Sequence, residues 1–66
     1  MDIRVLQYFV TIARERTISR AAERLHLTQP TLSRQLKDLE EELAVSLFNR
    51  SNREMTLTED GQYLYN

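Results

Sequence analysis

Gln29, Pro30, Ser33, Arg34 and Lys37 crowd into nine positions, and no carboxylate lies among them. Their chemistry is that of base and phosphate recognition. In the major groove of a duplex an arginine fork pairs with guanine O6 and N7, a glutamine amide with adenine, and a serine hydroxyl donates or accepts, while an apolar ring such as that of proline meets a thymine methyl. Catalysis has no comparable set. The chain holds no cysteine and one histidine, which removes thiol nucleophiles, disulfides and thiolate zinc sites and leaves no nucleophile with a base beside it.

For these groups to meet one partner they must share the outer face of one element. Leu32, Leu36, Leu39 and Leu43 recur at steps of four, three and four, the spacing of an apolar stripe on a helix over about 28–43. At about 100° per residue, Pro30, Arg34 and Lys37 fall nearly opposite that stripe, Ser33 flanks them, and Gln29 points from the first turn. Thr28 can cap the helix, and Pro30 fits its first turn, where a missing amide hydrogen costs nothing. Thr28, Thr31 and the free amides of that turn can hold a phosphate, while Lys37 offers a charge one turn further on.

Two helices precede this one. Ile3, Leu6, Phe9, Val10 and Ala13 form a stripe that predicts a helix from Ile3 to Glu15. A second stripe, Ile18, Ala21, Ala22 and Leu25, follows Thr17 and Ser19, either of which can cap it, and it ends near His26. The two alanines allow close approach of the following helix. His26-Leu27-Thr28 is a very short connection that forces a steep crossing, and histidine at its start tolerates the left-handed conformation better than most residues. Taken singly, each polar residue of the third helix is an ordinary solvated side chain. Their joint placement at the start of the second member of a tight helical pair outlines a helix-turn-helix that reads duplex DNA.

After Leu43 the period changes. Val45, Leu47, Met55 and Leu57 alternate around a polar loop, predicting a two-stranded hairpin whose tip, Asn49 to Arg53, lacks the glycine of the tightest turns. A longer loop with Asn52 in the left-handed region is expected there, and Arg50 and Arg53 flank it as candidate phosphate contacts. Thr58, Glu59 and Asp60 cap and charge the start of a fourth helix that ends in the apolar group Tyr63, Leu64 and Tyr65. That ending reads as a helix cut short within a longer protein.

The net charge of −1 argues against a nucleic-acid partner, but it averages two unlike regions. From Arg16 to Lys37 five basic residues face one acid, Glu23, whereas Asp38, Glu40, Glu41 and Glu42 follow with no base. The acidic stretch is expected to face outward and away from phosphates. No run of about 18 apolar residues and no secretory leader is present, so a soluble, cytoplasmic protein without a membrane partner is expected.

These residues resemble the N-terminal winged helix-turn-helix of bacterial LysR-type transcriptional regulators. The resemblance rests on LQYFV in the first helix, SRAAERLHLTQPTLSRQLKDLEEEL across the helical pair, LFNR opening the wing and LTEDG opening the linker helix, nearly the whole chain. It implies a mainly α domain, with a three-helix core plus a two-stranded β-hairpin wing, over residues 1–58, and the truncated start of a dimerisation helix over 59–66. It implies that Gln29, Pro30, Ser33 and Arg34 contact an operator, that Arg50 and Arg53 are wing arginines, and that no cofactor is held. It further implies self-association through the linker helix and a small-molecule effector bound by a C-terminal domain absent here. The chain departs from the family pattern at Ala44, after the last leucine of the third helix, and at Arg16, before the second; both positions are usually glycine. A left-handed residue other than glycine costs roughly 1 kcal/mol or more, so either the backbone differs there or stability suffers. A competing function is a protein-interaction module using the acidic end of the third helix or the linker helix.

Overall fold

The computed structural model describes residues 2–50 and 54–66. The elements run α1 (Ile3–Glu15), α2 (Ile18–Leu25), α3 (Gln29–Leu43), β1 (Phe48–Asn49), β2 (Thr56–Leu57) and α4 (Glu59–Tyr65). Each helix starts where a short polar side chain satisfies an orphan amide. Asp2 accepts from the Val5 amide at 3.1 Å, Thr17 from Arg20 at 3.0 Å, Thr28 from Thr31 at 3.3 Å and Thr58 from Gly61 at 3.0 Å. Of the two caps the sequence offered for α2, Thr17 is the one used.

The core is assembled from one stripe of each of the first three helices and from the base of the hairpin. Phe9 and Ile12 of α1, Ala21 and Ala22 of α2, and Leu32, Leu36 and Leu39 of α3 are buried together with Leu47, Phe48 and Met55. Each large side chain here contributes about 1.5–3 kcal/mol of hydrophobic burial. The ring of Phe9 lies 5.4 Å from Phe48 and 6.4 Å from Tyr65, centroid to centroid, so one aromatic of α1 meets both the wing and α4. Leu43 and Leu64 are only partly buried at the edge of this cluster.

The hairpin departs from its expected register. β1 and β2 pair antiparallel through Phe48 with Leu57 and Asn49 with Thr56. Val45 and Leu47, expected on the first strand, instead precede it, and Leu47 and Phe48 are buried in succession. Two-residue strands are too short for alternation to set their faces; the buried pair follows from the turn that leads the chain off α3. Asn52 and Arg53 lie outside the described residues.

Among the described residues, three other than glycine occupy the left-handed region: Arg16 (φ 67°), His26 (φ 58°) and Ala44 (φ 59°). His26 was expected there. At Arg16 and Ala44 the backbone keeps the conformation that glycine would favour, so strain of about 1–2 kcal/mol per residue is carried. Backbone hydrogen bonds hold it, one of them from the far side of the wing. The Arg16 amide donates to Ile12 at 2.8 Å and its carbonyl accepts from Met55 at 2.7 Å; beyond α3, Ala44 donates to Glu41 at 3.2 Å and Val45 to Glu40 at 3.1 Å.

The expectation that the acids of α3 all face outward is corrected at Glu40, which is only 9% exposed. Its Oε2 accepts from the Leu47 amide and its Oε1 from Arg50 Nη2, each at 2.7 Å. Glu40 follows Leu36 by one turn and therefore borders the leucine stripe, where the returning chain covers it. Leu47 is held from its other side too: its carbonyl accepts from Thr58 at 3.0 Å, and a Cβ at Gly61 would stand 2.1 Å from that carbonyl oxygen. Only glycine lets α4 approach the turn this closely.

Candidate nucleic-acid interface

Thr28, Gln29, Pro30, Thr31, Ser33, Arg34 and Lys37 are all exposed, along the first half of α3 and its cap. The leucine stripe explains why: with Leu32, Leu36 and Leu39 turned to the core, the opposite face has no protein to cover it. Proline within the first turn starts the helix without losing a hydrogen bond. The Thr28 hydroxyl also donates to the Thr31 hydroxyl at 2.8 Å, so the two threonines are joined at the helix start.

The electrostatics of α3 run against its own stability. A helix is stabilised by acids in its first turn and bases in its last, yet α3 has no acid in the first and no base in the last. α4 shows the contrast, with Glu59 and Asp60 in its first turn behind the same type of threonine cap. Thus the positive end of α3 has no carboxylate of its own, and Arg34 and Lys37 add charge on the same exposed side. Among the described residues neither of those two bases has an ion-pair partner. Arg24, by contrast, is drawn to α1 by Glu15 at 3.1 Å.

Arg50 joins this surface across a groove. Ser33 and Lys37 of α3 share a concave lining with Arg50, Ile18, Leu36 and Met55, so the start of the wing faces the middle of the helix. Arg50 is half exposed and anchored at one end by Glu40. The structure therefore brings together all of the sequence-nominated residues except Arg53, which lies outside the described residues. Sequence reasoning missed Glu40; its place one turn after Leu36 and the basic residue ten positions on were the available signals. No group of metal-ligating side chains occurs among the described residues, and none of their helices is long and apolar enough to cross a membrane.

Comparison with known proteins agrees with this geometry. The chain is 60% identical over 62 residues to the HTH-type transcriptional regulator BsdA of Bacillus subtilis, an alignment covering 92% of the chain and 21% of BsdA. The chain thus spans about a fifth of that relative's length. It superposes with a TM-score of 0.95 on the DNA-binding domain of BenM, a regulator of Acinetobacter baylyi, in complex with benA site 1 DNA, at 42% identity and covering 98% of this chain and 76% of that one. Full-length CbnR bound to its target DNA matches at a TM-score of 0.92 and 40% identity, covering 98% of this chain and 23% of CbnR. The family model described as bacterial regulatory helix-turn-helix protein, lysR family, matches residues 3–62. The described residues of the chain form four capped helices, a two-stranded wing and an uncovered face on α3, and the chain belongs to the lysR family of bacterial regulatory helix-turn-helix proteins.

Proposed function

We propose that this chain is the sequence-specific, duplex-DNA-binding part of a bacterial transcription regulator. One observation carries the reading: the exposed, acid-free half of α3 belongs to a fold that superposes on the DNA-bound BenM domain. In this reading α3 enters the major groove; Gln29, Pro30, Ser33 and Arg34 meet base edges, and Thr28, Thr31, Lys37, Arg50 and Arg53 meet the phosphate backbone. Residues 1–58 form the reading domain, and residues 59–66 open the helix through which the full-length protein self-associates. Tyr63, 87% exposed on α4, supplies apolar surface for that contact. A small-molecule effector binds elsewhere in the whole regulator, which works beside its operator in the cytoplasm. The role is recognition and not catalysis.

Selection from a random duplex library tests the reading, followed by titration of the recovered duplex at several salt concentrations. A defined consensus is expected, with log affinity falling by about 0.9 per neutralised phosphate for each tenfold rise in salt. Recovery of no consensus, or affinity indifferent to salt, would overturn it and favour a protein partner at the acidic end of α3.

A further inference from the structure

Among the described residues Glu40 is the only buried charged side chain. A carboxylate withdrawn from water requires strong partners, and both of its oxygens have one: the Leu47 amide on Oε2 and Arg50 Nη2 on Oε1. The contact with Arg50 is made through one amino group, and the guanidinium has five N–H donors in a rigid fork. Its side chain remains half exposed, beside Ser33 and Lys37 in the groove between α3 and the wing. We propose that Glu40 is a positioning residue for the DNA interface: it fixes Arg50 in place before DNA arrives and leaves the rest of the guanidinium for a backbone phosphate. The inference rests on the DNA-binding reading and adds to it a residue that never touches DNA.

Two effects of Glu40 oppose each other, which makes the sign of its removal informative. As an anion near the interface it weakens the attraction of phosphates. As an anchor it spares a long, flexible side chain from being ordered during binding. The anchor is the stronger effect, because the bond between Glu40 and Arg50 is short and charge-assisted, whereas the field of one buried carboxylate is largely cancelled by the guanidinium it holds.

Glu40→Gln separates the two. The glutamine carbonyl still accepts from the Leu47 amide, while its NH2 group faces Arg50 and cannot accept from it. On the duplex selected by the wild-type chain, Glu40→Gln is expected to bind about tenfold more weakly, although the protein has lost a negative charge. Arg50→Met is expected to weaken binding as well, and adding Glu40→Gln to Arg50→Met is expected to bring no further loss and a small gain, because the carboxylate then has no guanidinium to cancel its field. Should Glu40→Gln fail to fold, as judged by circular dichroism, Arg50→Lys carries the test. It keeps the charge and three N–H donors but lacks the rigid fork that serves Glu40 and a phosphate at once, and it is expected to bind more weakly than wild type and more tightly than Arg50→Met. Glu40→Gln binding as tightly as wild type or tighter, an equal loss in the Arg50→Met background, or wild-type affinity in Arg50→Lys would each overturn the proposal. Failure of the wild-type chain to select any duplex is a separate result, which overturns the DNA reading and this inference with it.

Discussion

The two halves of α3 lie on one unbroken leucine stripe, yet their outer faces are opposites. From Gln29 to Leu36 the exposed residues are amide, proline, hydroxyl and guanidinium; from Asp38 onward Asp38, Glu41 and Glu42 are exposed acids and Glu40 turns inward. Helix stability would place these charges the other way round. The difference teaches that the core fixed where α3 lies, while the charges on its surface follow a requirement outside the helix. One end of the helix attracts an anion and the other repels it, so the two halves of α3 offer a phosphate backbone unlike surfaces.

The stripe common to both halves offers the bluntest way to break the comparison. Leu36→Ala is expected to cost about 2–5 kcal/mol of stability, comparable with the whole stability of a domain this small, and a thermal melt should show a lowered or absent transition. Both halves would then fail together. Arg34→Ala separates them. It should weaken binding to the selected duplex by about 1–3 kcal/mol and relax preference at one base pair, with the melting midpoint unchanged. An equal loss on every duplex would reduce the first half of α3 to a patch of charge. The smallest change belongs to the acidic half: Glu41→Gln removes a charge from the unfavourable end of the helix dipole and should raise stability by about 0.3–1 kcal/mol. Its base preference, measured by the same selection, should match wild type; a changed consensus would mean that the acidic half also reads sequence.

Local signals made most of this legible in advance. Thr17, Thr28 and Thr58 announce helix starts because a cap acts within three residues, and the leucine stripe places its own opposite face without knowledge of the fold. His26 was readable as a left-handed turn for the same local reason. Glu40 was not readable as buried, because its environment is made by a segment that returns only after the turn at Ala44 and Val45. The faces of Leu47 and Phe48 were lost for a related cause: the bonds that set them reach Glu40 on one side and Thr58 on the other. Side chains that answer to neighbouring residues could be read. Those that answer to a returning backbone could not.

The contact at Gly61 has a mechanical consequence. With no side chain between the start of α4 and the Leu47 carbonyl, there is no compressible layer at that joint, since main-chain atoms cannot change rotamer to absorb a displacement. The Thr58 hydroxyl bolts the same joint to the Ser46 carbonyl at 2.6 Å, and the far side of Leu47 is held by Glu40 from within α3. At this joint α4 therefore rests directly on main chain, while the link onward from Leu47 to α3 runs through the side chain of Glu40.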